Sequence, residues 1–349
     1  MIAAEKAIQR PPDAKLLVVD AHKQIGHAPR SAFVEYLRAD DLVVANDAAT
    51  LPASLRGVHA ATSAAVEVRL AGRPSLDPRD VCRFSAVVFG AGDYLTRTED
   101  RPQPPPLAPG DRLILGPLHA TVERLLGHAR LVSLHFEGGA DEVWAGLARH
   151  GRPIQYAHVT EPLALWDVWT RIAGPPVAFE PPSAGFALDW RALAMMRERG
   201  VEFETLTHAA GISSTGDDAL DQLLPFDEPY RIPLATARAV TRARERGGRV
   251  VAVGTSVVRA LEDAAAAGGG VRAGEGVATQ HLGRTSRLRV VDIILSGTHE
   301  QGTSHYELLR AFLDDATLRR TSMELDARGY RTHEFGDSVL IERARPRAA

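Results

Sequence analysis

The chain has 349 residues, 45% hydrophobic and 24% charged, with a formal net charge of −3. That suits one large or two ordinary globular domains and gives no global pull towards nucleic acid. Cys82 is the single cysteine and Lys6, Lys15 and Lys23 are the only lysines, which excludes an internal disulfide framework, a cysteine-ligated cluster or zinc site, a lysine-bearing phosphate loop and a Schiff-base lysine deep in the chain.

The opening segment MIAAEKAIQRPPDAK lacks the apolar core of a secretory signal, and no run nears the roughly 18 apolar residues of a membrane helix. The expected location is the cytoplasm. LLVVD (16–20) and DLVVAND (41–47) read as buried strands with the short helix SAFVEYL between them. Asn46 and Asp47 close the second strand, where α/β proteins place ligand contacts or where such a pair forms an Asx turn. From 58 to 150 short β-like runs recur: AAVEVRL, RFSAVVFG, DRLILG, HATVERLLG and ARLVSLHF. Turn-rich segments such as RPQPPPLAPG separate them and no helix interrupts them, the pattern of a small barrel or sandwich. After 150, strands and helices alternate, the signature of α/β. DWRALAMMRERG (189–200) carries an N-cap aspartate, apolar Trp190, Leu193 and Met196, and a closing glycine. VEFETLTHA and RLRVVDIILSG read as strands, PLATARAVTRARERGG and HYELLRAFL as helices, and GYRTHEFGDSVLIER as a closing hairpin-like pair. The expected architecture is a discontinuous α/β main domain, 1–57 and 151–345, interrupted by an inserted small all-β barrel domain, 58–150. The tail RARPRAA reads as a frayed end.

RVVAVGTSVVRALEDAAAAGGG (249–270) is a strand-turn-helix corner. Val250–Val253 suits a buried strand, and Val257, Leu261 and Ala264 share one helical face behind it. Gly254 permits a tight turn, and Thr255 or Ser256 can cap the helix. A helix start offers free N–H groups and partial positive charge, which suit an anion. Arg259, a cation in the first turns, opposes the macrodipole: it serves either a carboxylate or phosphate pocket or a surface pair with Glu262 or Asp263. Of the other groups, His208 ends an apolar run, Glu228 precedes a proline, and the Arg-rich stretches 241–249 and 283–289 are solvated faces or phosphate contacts. His299 and His305 are six apart rather than the four that a shared helix face needs for zinc, so no metal is expected.

These segments resemble a known family. AVGTSVVRALE is similar to the A-V-G-T-T-S-V-R-x-L-E signature of the S-adenosylmethionine:tRNA ribosyltransferase-isomerases of queuosine biosynthesis. LLVVD and YLRADDLVVANDAATLPASLRG resemble its L-L-V-L-D and Y-L-R-x-G-D-L-L-V-x-N-D-T-R-V-x-P-A-R-L-x-G. PPSAGFAL parallels P-T-A-G-L-H-F, RVVDIILSGTHEQGTSHYELLRAF resembles V-V-D-x-L-x-T-N-F-H-L-P-x-S-T-L-x-M-L-V-S-A-F, and GYRTHEFGDSVLI resembles Y-R-F-F-S-Y-G-D-A-M-L-I. The chain departs from these motifs in places. Phe186-Ala187-Leu188 stands where the family has Leu-His-Phe, and Val257 where it has a serine. Thr207–Ser214 keeps His208 and Gly211 of L-H-V-G-A-G-T-F, 297–304 keeps His299 of N-F-H-L-P-x-S-T, and 225–233 keeps Glu228 of H-S-E-x-x-x-V-P.

The resemblance implies an α/β domain interrupted by a barrel. It also implies transfer and isomerisation of the ribosyl moiety of S-adenosylmethionine onto 7-aminomethyl-7-deazaguanine in tRNA, giving epoxyqueuosine with release of adenine and methionine. S-adenosylmethionine is then the co-substrate, no metal is needed, tRNA is the partner, and a monomer is favoured with the oligomeric state open. By the same resemblance His208, Glu228 and His299 are candidate catalytic residues. Ser183, Ala184, Gly185, Gly254, Thr255, Ser256 and Arg259 are candidates for holding the co-substrate; Asn46, Asp47, Gly211, Asp292 and Ser304 are further site positions. The departures keep two alternatives open: a divergent paralogue that uses another acceptor or only cleaves S-adenosylmethionine, and a non-catalytic nucleoside or tRNA binder.

Overall fold

A computed structural model describes residues 1–344; the last five residues of the tail expected to fray, and the expected end of the main domain at 345, lie outside them. Ahead of the insertion run β1 (Lys15–Val19), β2 (Ile25–Pro29) and β3 (Leu42–Asn46). The barrel strands are β4 (Ser54–His59), β5 (Ala65–Gly72), β6 (Arg83–Phe89), β7 (Arg112–Leu115), β8 (Leu118–His128) and β9 (Leu131–Phe136). After them come β10 (Glu202–His208), β11 (Glu228–Ile232), β12 (Val250–Val253), β13 (Gly274–Ala278), β14 (Ile293–Gly297) and β15 (Ser338–Glu342).

Nine of these strands form one sheet, ordered β13-β11-β10-β3-β12-β14-β15-β1-β2. Its centre, β10-β3-β12-β14, is parallel throughout. The near-continuous apolar runs of β3 and β12 follow from that position, since a parallel strand is buried on both faces. Side chains alternate between two cores. Val250 and Ala252 join Val257 and Leu261 on one face, while Val251 and Val253 join Phe33 and Met196 on the other. The α/β main domain interrupted by an all-β barrel is the observed architecture.

The barrel closes in the order β8-β9-β6-β5-β4-β7, antiparallel throughout. Closure leaves no free edge, and Leu55, Val68, Phe84, Val122 and Phe136 fill its interior. Its first strand opens at Ser54, ahead of the expected limit at 58. Gly57 hides that strand in the sequence by interrupting its apolar pattern; a Cβ there would collide with the Ile114 carbonyl of β7.

The longer helices are α1 (Ala140–His150), α2 (Trp190–Glu198), α3 (Leu234–Glu245), α4 (Thr255–Ala264), α5 (Ser304–Leu309) and α6 (Asp315–Ala327). None is long and apolar enough to cross a membrane. Three expectations are corrected. A helix does fall within 58–150: α1, capped by Glu142 accepting from the Gly139 amide at 3.0 Å, packs Val143 and Leu147 on the barrel core. Trp190, read as a core position of α2, is 70% exposed, because it is the first helical residue after the Asp189 cap. The closing segment is no hairpin: Arg331–Thr332 pairs with Ile2–Ala3, whereas β15 inserts between β14 and β1.

Candidate active site

The parallel strands β3, β10, β12 and β14 end together, and the loops beyond their carboxyl ends surround a cavity of about 200 Å³. In open α/β sheets that is where ligands bind. The α4 corner supplies one wall. Gly254 turns at φ +97°, donates its amide to the Leu295 carbonyl at 2.8 Å, and itself occupies the cap position of α4. The expected hydroxyl cap is therefore absent: Thr255 and Ser256 already lie inside the helix, and no side chain caps its N-terminus. Its first-turn amides keep their partial positive charge for the cavity.

Arg259, 3% exposed, does not pair with Glu262 or Asp263. Glu262 accepts from the amides of Arg289, Val290 and Val291 at 2.6–2.9 Å, and Asp263 accepts the Tyr230 hydroxyl at 2.8 Å. The guanidinium instead donates to the Glu228 carboxylate and to the carbonyls of Phe226 (3.2 Å) and Ala278 (2.8 Å). Only its Nε, among the described residues, lacks a partner. Glu228 also accepts from the Gly211 amide at 2.5 Å; burial pushes its carboxyl up, against the pull of Arg259 and that amide. His208, fully buried, brings Nε2 to 3.4 Å from Glu228. Burial, reinforced by the Arg259 charge, holds its imidazole well below the ordinary value and thus neutral.

Across the cavity His299 shares a hydrogen bond with the Ser296 hydroxyl (2.9 Å) and stacks on His305 with centroids 4.7 Å apart. Burial drives both rings down, His305 to about 4, so they too are neutral near pH 7.

Of the expected positions, Ser183, Ala184, Gly211, Glu228, Gly254, Thr255, Ser256, Arg259, His299 and Ser304 line this cavity. His208 and Asn46 lie beneath it. Asn46 brackets the two strand ends, accepting from the His208 amide (3.0 Å) and donating to its carbonyl (2.9 Å) and to the Ser256 hydroxyl (3.3 Å). It also forms an Asx turn to Ala48 at 3.1 Å. Asp47 is occupied by the hydroxyls of Thr205 and Thr207 at 3.0 and 2.7 Å, and Gly185 packs on the Thr170 methyl. Asp292 sits at the opposite end of the sheet, just before β14, accepting from the Val250 amide at 3.0 Å. The Arg-rich stretches are largely tied down: Arg249 to Asp41, Arg242 to Glu202, and Arg244 and Arg289 to backbone carbonyls.

Residue patterns overlooked a second polar wall. Glu180, 8% exposed, and Glu334 both line the cavity. The Tyr156 hydroxyl donates to Glu180, whose other oxygen accepts from the Ser213 amide at 3.1 Å. Glu334 pairs with His158 at 3.2 Å, and His158 stacks on His333 at 4.1 Å. A signal existed: Thr332-His333-Glu334-Phe335 stands where the similar motif reads F-F-S-Y. Ligand atoms of His158, His333 and Glu334 lie within 4.8 Å of one another. The two rings are within 18° of parallel, however, so their in-plane lone pairs run side by side. A shared ion at roughly 2.0–2.1 Å from both nitrogens requires that stack to open.

A sequence profile described as Queuosine biosynthesis protein matches residues 1–341. The chain belongs to this family. A relative from Citrifermentans bemidjiense named S-adenosylmethionine:tRNA ribosyltransferase-isomerase is 31% identical over 97% of this chain and 96% of its own. One from Sorangium cellulosum with the same name is 32% identical over 95% and 94%. The crystal structure of an S-adenosylmethionine tRNA ribosyltransferase from Thermotoga maritima superposes with a TM-score of 0.51 at 21% identity, covering 97% of this chain and 96% of that one. The family's sheet-and-barrel fold is thus the one described above.

Proposed function

We propose that this member of the queuosine biosynthesis family transfers and isomerises the ribosyl moiety of S-adenosylmethionine onto 7-aminomethyl-7-deazaguanine in tRNA, releasing adenine and methionine. One observation carries the reading. A single cavity combines an uncapped helix N-terminus with a pair of carboxyl groups, Glu180 and Glu334. S-adenosylmethionine is charged to match: its methionyl carboxylate suits the amides of Thr255 and Ser256, and its sulfonium suits the carboxyl wall. Arg259, neutralised by Glu228, stiffens the corner. The cavity is smaller than the roughly 300–1,000 Å³ of enclosing pockets, and Glu300 and His333 on its lining are exposed. A nucleoside-sized ligand therefore projects outward, where a macromolecular acceptor can meet it.

The chemistry needs a proton taken from the 5′ carbon beside the sulfonium, departure of adenine, and attack of the acceptor amine on the sugar. The protein's share is orientation, proton transfer and stabilisation of developing charge. A second reading, an acceptor other than that tRNA base, is favoured by Ala187 where the family motif has histidine and by the extra carboxyl–histidine wall. Adenine release from labelled S-adenosylmethionine separates the two. Release that depends on tRNA carrying the deazaguanine precursor supports the first, release without it the second, and no release contradicts both.

A further inference from the structure

Resting on that reading, we propose that Glu180 is the base that removes the 5′ proton of S-adenosylmethionine. Of the other acid–base groups at the cavity, Glu300 and His333 stand exposed to solvent and the rest are committed elsewhere. Glu228 is locked between Arg259 and the Gly211 amide, His208 lies beneath the floor, and His299 and His305 are weak bases through burial. Glu334 is held ionised by His158.

Glu180 differs in that its surroundings satisfy both of its protonation states. The Tyr156 oxygen lies beside the Glu180 carboxyl and 3.1 Å from the Ser214 carbonyl. With Glu180 ionised, the phenol donates to it. With Glu180 protonated, the carboxyl donates to the phenol oxygen and the phenol turns its own proton to Ser214. The Ser213 amide fixes the other oxygen at 3.1 Å in either state. The charged groups around this pair are Glu334 with His158 and His333 on the cavity side, Arg69 over the Tyr156 ring at 5.5 Å, and Asp221 on the Ser214 hydroxyl at 3.1 Å. Burial, with Glu334 beside it, pushes the Glu180 carboxyl up to about 7, close to where a general base works best at neutral pH.

The two carboxyl groups then divide the work, as paired carboxyls with separated affinities for protons do. Glu334 stays charged and attracts the sulfonium; the carbon next to that sulfur is the one whose proton Glu180 takes. In the step, the C5′–H bond breaks, the proton passes to the Glu180 carboxylate, and the electron pair remains on C5′ next to the positive sulfur. Carboxylate and cation become neutral acid and neutral dipole, so no net charge is created beside the buried Glu180 carboxyl. Reversal returns a proton drawn from solvent.

Incubating the full chain with S-adenosylmethionine in D2O, without tRNA, tests this by NMR. Wild type is expected to place deuterium at C5′, faster as pH rises, with a midpoint at or below about 7 because the bound sulfonium favours the carboxylate. Glu180→Gln, which removes one carboxylate of the wall, should bind S-adenosylmethionine more weakly and, at saturating S-adenosylmethionine, exchange about 10²–10⁴-fold more slowly, while Glu180→Asp recovers part of the rate. Tyr156→Phe, which keeps the carboxyl and removes its donor, should exchange with the midpoint moved upward, a shift that a purely structural role would not give. Binding with undiminished exchange in Glu180→Gln overturns the assignment and leaves the function standing. An unmoved midpoint in Tyr156→Phe overturns it even if Glu180→Gln fails to fold. A wild-type protein that binds no S-adenosylmethionine overturns the proposed function and the assignment together.

Discussion

Arg259, in the first turns of α4, reaches the cavity, yet its terminal nitrogens are spent on Glu228, Phe226 and Ala278. Arg259→Ala therefore strips the partner from a buried carboxylate, a loss that costs about 3–5 kcal/mol. Urea unfolding should show that drop, and titration with S-adenosylmethionine should show weakened binding; unaltered stability would mean the pair is not the keystone of the corner. Gly254 holds a backbone conformation reserved largely for glycine, so Gly254→Ala should cost about 1–3 kcal/mol, read in the same unfolding experiment. Both residues were legible because their chemistry is local. Glu180 was not: a lone acid before two prolines says nothing until folding brings Tyr156, from another segment, onto it.

At the level of elements, β12 and α4 were readable because strand and helix periods are local patterns of apolar residues. Strands β4 and β11 were not, since Gly57 and Pro229 break the alternation, and the main partner of β11, β13, lies far along the chain. The inserted barrel also holds a buried polar device with no local signature. Glu67 bonds Arg69 at 2.8 Å and pairs with Arg101, and the two guanidinium groups, working against burial, hold its carboxyl at about 2. Glu67→Ala leaves two buried cations sharing no carboxylate, and the expected loss is again about 3–5 kcal/mol. Because the folded-state affinity for protons is depressed, the stability this carboxylate contributes is full above pH about 4.5 and is lost as pH falls towards about 2. Acid unfolding followed by circular dichroism should show wild type losing more stability across that window than Glu67→Gln does.

For the whole molecule, the cavity sets two opposing pH dependences. His305, lowered from 6.5 to about 4, binds its proton more readily when unfolded, so its share of stability falls as pH drops through that interval. Glu180, raised from 4.5 to about 7, binds its proton more readily when folded, so its share falls as pH rises between those values. Glu180→Gln removes the second dependence alone. Relative to wild type it should gain stability between pH 4 and 8, on the order of 3 kcal/mol, and a difference independent of pH would show that Glu180 titrates normally. The sheet, the barrel and the ends of the parallel strands supply the frame that brings residues from distant segments to one cavity. That convergence is what a single sequence hides. The most direct test of the account follows the sugar: S-adenosylmethionine labelled in its ribose is incubated with the protein and tRNA bearing 7-aminomethyl-7-deazaguanine, and the tRNA is digested to nucleosides. The label is expected in epoxyqueuosine, with adenine released in equal amount. Label that never enters the tRNA, whether or not adenine is released, would contradict it.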